Sequence, residues 1–582
     1  MNTLIPTDAE QKLIEAARDG LPADLRSANE AENDPAQGYG WGPERTIRAE
    51  IIYALATGAR DDWPVHPKGI QLASARIEGQ LDFGGAEIRC RLALVSCSIE
   101  EPIILVDATA ESVSLKGSFI GGIQAERVIV RGNIALNGVK SVGNVNFSNA
   151  KISGQFLCKG ASFSNLPGPA LDADIAQIDG GVFLDDNFNA IGLVRFGGAR
   201  ISGQLKCSGS HFRAAGPQAP ALMLDGLRTA VLLLDEGFTA TGEVRLIGAE
   251  IGAQLTCRGG KFQNPNGFAL SADGLTVNGD GFLDEKFAAC GKVNVSGARI
   301  SGNLACNGGK FDHLILQRAQ VSGILAIKNL ARPEQSRIDL THARIGLLSD
   351  DQASWPAKGN LHINGFEYNA IAPYSPRDAE SRLEWLGRTP EKGFSTQPYE
   401  QLEKVLRASG DERGAVEVYI AKRRAIREKG RMSRPARAWD WILDCAVGYG
   451  YGVWKTVLWS LAVVVVGAIL FGFWFPFKQT PKTNITSAHS TTVVTASAAV
   501  RTKPAADSVR ECADHVLRSF FYSLEVFLPF DGTPWRSSQP LRPRYVGDLW
   551  FYAIETWCVA EELLGWLAAG LIAAAAAGVI QK

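Results

Sequence analysis

The feature that most constrains this chain is an internal repeat. Residues 150–163 read AKISGQFLCKGASF, 199–212 ARISGQLKCSGSHF, 249–262 AEIGAQLTCRGGKF and 298–311 ARISGNLACNGGKF. The starts lie 49, 50 and 49 residues apart, which aligns Cys158, Cys207, Cys257 and Cys306, and also Phe163, Phe212, Phe262 and Phe311. A second block recurs within the same unit: LDDNF at 184–188, LDEGF at 234–238 and LDEKF at 283–287. Beneath both runs a finer period of roughly 10–12 residues, seen in GQLDFGGAEI (79–88), GNVNFSNAKI (143–152), GEVRLIGAEI (242–251) and GKVNVSGARI (291–300). Apolar residues alternate within each segment, so each is a strand with one face inward, and the glycine marks a tight turn. A period of 2 and 61 glycines exclude helices here. Stacked short strands of this kind build a right-handed parallel β-solenoid over roughly residues 67–370. Two strands plus corners, about 22 residues, are expected per coil. The longer unit is then two coils plus a short insertion such as residues 214–220 (AAGPQAP).

That geometry assigns the polar and sulfur positions. Strands lie about 4.8 Å apart, so aligned cysteines two coils apart sit about 10 Å from one another, beyond the reach of a disulfide. Each follows an inward apolar residue by two positions, which points it into the core as a small hydrophobe. Asp185/Asp186, Asp235/Glu236 and Asp284/Glu285 form the most regular polar column. It is read as solvated corner residues, with Asp185, Asp235 and Asp284 as candidate ligands for a cation or a basic partner.

The flanks look helical. Residues 9–19 and 44–56 carry apolar side chains at three- and four-residue spacing, and a helical segment over 1–66 is expected to cap the open strand edge. Residues 397–409 and 412–428, separated by Gly410-Asp411, read as a helical hairpin leading into a basic juxtamembrane segment, the two occupying 371–450.

The C-terminal part, 451–582, has a different character. Residues 456–477 are 22 consecutive uncharged, mostly apolar residues, enough to span a bilayer as a helix. Just before them lie Lys422, Arg423, Arg424, Arg427, Lys429, Arg431, Arg434 and Arg437; residues 421–437 hold eight bases and one acid. By the positive-inside rule this side faces the cytoplasm. A second apolar run extends over about 560–580, so both ends of the hairpin face inward. Its Gly565, Ala569, Ala573 and Ala577 recur every four residues, read either as a face for close helix packing or as plain filler. Residues 478–508 are Thr/Ser/Ala-rich and read as an outer loop. The aromatic segment 516–530 resembles the pore helix of two-helix ion channels, with Glu555 and Glu562 placed to draw cations to an outer vestibule. The channel filter signature TVGYG is absent, and PFDGTPW (529–535) stands in its place.

Composition sharpens this division. The overall charge of −1 sums an acidic body of 420 residues at −8, a +7 collar and a balanced hairpin. Such a balance argues against a dedicated nucleic-acid binder. Ten cysteines are too few for a disulfide scaffold, and the charged first 20 residues show no secretory leader. No dinucleotide fingerprint, phosphate-binding lysine loop, Cys-x-x-Cys or hydrolase motif is present, so no cofactor is expected and an enzyme is not favoured.

Across nearly its whole length the chain resembles a bacterial family of repeat-bearing membrane proteins labelled "membrane-associated oxidoreductase". The resemblance rests on RTIRAEII (45–52), GIQLASARIEGQLDFGGAEI (69–88), the ISGQL repeats, QPYEQLEKVLRASGDERGA (397–415), GYGYGVW (448–454) and FFYSLEVFLPF (520–530). It implies a pentapeptide-like solenoid followed by a pore-like two-helix C-terminus in the bacterial inner membrane. The residues themselves point first to a membrane-anchored cytoplasmic scaffold or binding protein. It would contact the bilayer, take protein partners on the solenoid face and self-associate through the hairpin. The alternatives are an oligomeric channel-like effector with the solenoid as sensor, and the oxidoreductase that the family label names.

Overall fold

A computed structural model describes residues 5–430, 432–474, 505–528 and 548–577. The chain divides into two compact units, Met1–Tyr419 and Ile420–Lys582.

The first unit is a parallel β-solenoid of about 13 turns. One column of paired positions shows the winding: Glu87, Thr109, Ile129, Lys151, Gln177, Arg200, Arg228, Glu250, Thr276, Arg299, Gln320, Arg344 and Glu367 follow one another in register. The steps are 20–28 residues, and the long ones fall where loops such as 214–219 are inserted. The 49- and 50-residue units are therefore two coils, one of them lengthened.

Each coil has four short faces rather than the two strands expected. The reason lies at the glycine of ISGQL. Arg200–Lys206 pairs in register up to Ile201, shifts, and resumes at Gln204. The chain bends at Ser202-Gly203, so one alternating segment serves two faces. Gly203 is required there: a Cβ would sit 2.9 Å from the carbonyl oxygen of Gly180 in the preceding coil. The amide of Gly203 instead bonds that oxygen at 3.1 Å. Gly198, Gly248 and Gly297 turn the preceding corner at φ of 63–64°, a region costly to residues with a Cβ.

The core is apolar throughout. Phe163, Phe188, Phe212, Phe238, Phe262, Phe287 and Phe311 come from successive coils and stack with ring centroids 5.1–5.7 Å apart. The two phenylalanine columns of the sequence thus interleave into one ladder of seven buried rings.

Both ends are closed. Helix α1 (Asp8–Asp19) starts with a capping box between Thr7 and Glu10. Short strands also join the edge, with Ala23 paired to Leu72 and Thr46 to Arg76, so this cap mixes helices with strands. Helix α2 (Ala49–Thr57) follows, its Ile51, Ile52 and Leu55 buried. At the other end lie α3 (Ala379–Leu386) and α4 (Gln397–Ala408). Side-chain amides on α4 replace the missing next coil: Gln397 donates to the carbonyl of Phe366 at 3.0 Å and Gln401 to that of Tyr368 at 2.6 Å. Open ladder groups are thereby satisfied. Arg382 on α3 is wholly buried, bonded through both terminal nitrogens to Asp350 at 2.6 and 2.8 Å and flanked by Trp355 and Trp385.

Helix α5 (Glu412–Lys429) contains the boundary between the units. The second unit continues with α6 (Arg434–Val447), α7 (Val453–Trp474), α8 (Ala505–Phe527) and α9 (Asp548–Ala576). Two of these are long and apolar enough to cross a membrane, over Trp454–Gly472 and Glu555–Ala575. The second stretch starts five residues before the expected 560. The aromatic segment expected as a short pore helix is part of the 23-residue α8. Most of the expected outer loop and the PFDGTPW segment lie outside the described residues.

Candidate functional site

The acidic column comes first, being the most regular polar feature of the solenoid. The structure buries Asp185 and Asp284, leaves Asp235 half-buried and exposes Asp186, Glu236 and Glu285. The exposed partners take φ of 49–56°, which turns the second acid of each pair outward and the first inward. Solvated corners therefore describe only the second of each pair. Basic and hydroxyl groups from neighbouring coils meet the inward acids. Lys159 and Lys206 lie 3.3 and 3.2 Å from Asp185, the Ser208 hydroxyl donates to Asp235 at 2.5 Å, and Arg258 bonds Asp284 at 3.0 Å. Burial still pushes the Asp284 carboxyl up despite Arg258. Among the described residues no group of three or more His, Cys, Asp or Glu is placed to hold a metal ion. The column is a ladder of alternating donors and acids that ties coil to coil.

The aligned cysteines are fully buried in the core. Burial pushes the thiol of Cys97 up to about 12 and those of Cys158, Cys207, Cys257 and Cys306 up as well. Protonated, enclosed thiols of this kind are poor nucleophiles.

The basic cluster is organised by two acids outside the +7 window. Asp440 and Asp444 sit one turn apart on the buried face of α6. Arg423 reaches Asp440 at 2.9 Å, Arg424 meets Asp444 at 2.9 Å, and Arg427 bridges Asp440 at 3.3 Å and Asp444 at 2.9 Å. The Tyr449 hydroxyl donates to Asp440 at 2.7 Å. Burial raises the Asp444 carboxyl, but hydrogen bonds from Arg424 and Arg427 outweigh it and hold the group below the usual carboxylate range. Residues 421–447 thus carry eight bases against three acids. Lys422 is half-buried, whereas Lys429, Arg434 and Arg437 are exposed. Arg431 lies outside the described residues.

The other side of α6 is unusual for a water-facing helix. Trp439, Trp441 and Ile442 are 52%, 57% and 37% exposed. Trp441 lines an open groove of about 560 Å³ with Arg427, Glu428, Arg434, Arg437 and Ala438. Helix α6 therefore buries its carboxylates against arginines and presents tryptophan beside free guanidinium groups. Helix α7 continues the pattern, with Trp454, Val457, Leu458 and Trp459 each more than half exposed.

Glu555 and Glu562, expected at a pore mouth, are both exposed on α9. The carboxylate that does turn inward is Glu561. It is wholly buried, and the Ser523 hydroxyl of α8 lies within hydrogen-bond distance of it and, at 2.8 Å, of the carbonyl of Val464 on α7. A readable signal existed. The small-residue face runs Gly565–Ala569–Ala573–Ala577, and one turn back along it is Glu561. Gly565 is buried so closely that a methyl group would collide with the carbonyl oxygen of Phe527, while Ala573 and Ala577 are exposed.

Compared with known protein families, with curated proteins and with solved structures, the chain matches none.

Proposed function

We propose that this chain is a membrane-anchored β-solenoid, a scaffold or binding protein held at a bacterial inner membrane by its helical unit. The observation that carries this reading is the inverted polarity of α6 and α7. The carboxylates of α6 face inward onto arginines, while tryptophan and aliphatic side chains of α6 and α7 face outward. In water such a surface is costly; in a bilayer it is the low-energy arrangement. Tryptophan beside arginine on α6 suits the headgroup layer, where ring and guanidinium are both satisfied. Helices α7 and α9 then form the two spans. The exposed bases Lys429, Arg434 and Arg437 favour a cytoplasmic location for α6, with the solenoid and the C-terminus on the same side. On this reading the coils wind right-handed, as parallel β connections do. The solenoid exposes acidic and polar faces to protein partners, and the exposed Ala573 and Ala577 of α9 offer a close-packing surface to a second copy. A nucleic-acid role has no support in the charge balance.

Alkaline carbonate washing of membranes and thiol labelling test this together. The chain is expected to stay in the pellet. Cys445, exposed on α6, is expected to react with a membrane-impermeant maleimide in inverted vesicles but not in intact cells. Release by carbonate overturns the anchor, and labelling from outside overturns the orientation.

A further inference from the structure

The buried group that the anchoring role leaves unused is Glu561. It lies opposite Val464, the middle of α7, and therefore at the depth where a bilayer is least tolerant of charge. Among the described residues no ion pair reaches it. Helix α7 meets the pair with the Val464 carbonyl and with Gly467. The titratable groups that interact with it are Tyr522 on α8 and Cys558 on α9, whose own further titratable neighbours are Glu525 and Glu555, none of them cationic. Trp557, one turn earlier, faces the carboxyl, and among the described residues one carboxyl oxygen, Oε2, is buried with no partner in full hydrogen-bond geometry.

Hydrogen-bond accounting favours a protonated carboxyl. Ser523 Oγ sits within hydrogen-bond distance of two acceptors, the Val464 carbonyl and Glu561 Oε1. A hydroxyl has one hydrogen to give. Both contacts are hydrogen bonds only if Glu561 carries a proton: the carboxyl O–H donates to Ser523 Oγ, and Ser523 O–H donates to Val464. An ionised Glu561 would compete with Val464 for the single serine hydrogen and would leave a charge buried without a cation. Gly467 makes room for the pair, since a Cβ there would collide with both side chains.

We propose that Glu561, with Ser523 and the Val464 carbonyl, is a proton-binding site inside the helical unit, loaded at rest and emptied only when the packing of α7, α8 and α9 loosens. Release sends the proton to water admitted by that loosening, and the Ser523 hydroxyl swings from Val464 to the carboxylate. The depth argument rests on the membrane reading; the hydrogen-bond accounting does not.

The test is infrared spectroscopy of the full-length protein in lipid nanodiscs at neutral pH. The carbonyl-stretch band of a hydrogen-bonded carboxylic acid is expected in the native protein and in Glu562→Gln, and is expected to be lost in Glu561→Gln, which keeps the shape and the donor. In Ser523→Ala the band is expected to persist but shift upward, a readout that holds even if Glu561→Gln fails to fold. Absence of the band from the native protein, or its survival unchanged in Glu561→Gln, overturns the proposal. Failure of the membrane reading shows separately, as carbonate release, and leaves the band measurable on the released protein.

Discussion

The two units solve opposite packing problems. The solenoid puts apolar groups inside and charge outside, and its first 419 residues carry a net charge of −8. The helical unit, at +7, does the reverse: Asp440, Asp444 and Glu561 are buried while Trp441, Trp454 and Trp459 are exposed. The contrast teaches that the two units expose opposite kinds of surface, and that an average hydropathy near zero conceals both.

The largest expected effects break the solenoid side of the contrast. Phe238→Ala removes a fully buried ring from the middle of the ladder and is expected to cost about 3–5 kcal/mol. Arg382→Ala strands the buried Asp350 carboxylate and is expected to cost a similar ~3–5 kcal/mol. Denaturant titration followed by the β-signal in circular dichroism reads both. Trp459→Ala, equally large in volume lost but exposed, is expected to leave that midpoint where it is. A midpoint shift in Trp459→Ala would place this residue in a water-excluded core and collapse the comparison.

A middle-sized effect probes the clasp between α5 and α6. Asp444→Asn removes charge-assisted hydrogen bonds to Arg424 and Arg427, worth about 1.5–3 kcal/mol between them. Faster hydrogen exchange confined to 420–447 is the expected readout. The pH dependence has a definite sign. The folded Asp444 carboxyl lies below its unfolded value, so its contribution is complete above about pH 4 and is lost as pH falls through the lower folded value. Asp444→Asn is expected to abolish that acid sensitivity. Asp284 behaves oppositely: burial raises it, so its ionisation opposes folding as pH rises through the carboxylate range, and Asp284→Asn is expected to flatten that decline in the denaturant midpoint.

The smallest effect sharpens the corner geometry. Gly248→Ala meets no neighbouring atom but must hold φ at 63°, so about 1–2 kcal/mol is expected from backbone strain alone. Gly203→Ala, at φ in the ordinary range but tight against the Gly180 carbonyl, is expected to disturb the ladder locally as well. Equal costs with identical local exchange would mean that the bend glycine is not selected by the close approach.

Much of the fold was legible because repetition and hydropathy are local signals. The ISGQL and LDxxF blocks carry the strand period, the coil length and the inserted loops, and the uncharged run after residue 455 marks the first of the two helices long and apolar enough to cross a membrane. The four-sided coil was not legible, since the bend at Gly203 depends on where the preceding coil's carbonyl lies. The basic cluster was visible in the sequence but its neutralisation was not, because Asp440 and Asp444 reach back across a helical turnaround to residues 13–20 positions earlier. The spacing of Glu555 and Glu562 marks an exposed face of α9, whereas the buried carboxylate, Glu561, shares a helical face with Gly565.

By itself the sequence determined that this chain stacks short parallel strands and then carries two helices long and apolar enough to cross a membrane, because both properties follow from the order of side chains along the backbone. Only the tertiary structure decided which acid of each pair is buried, that two phenylalanine columns form one ladder, and which glutamate faces the helix core. Those outcomes depend on partners distant in sequence, and a buried polar group takes its chemistry from the atoms it meets in space.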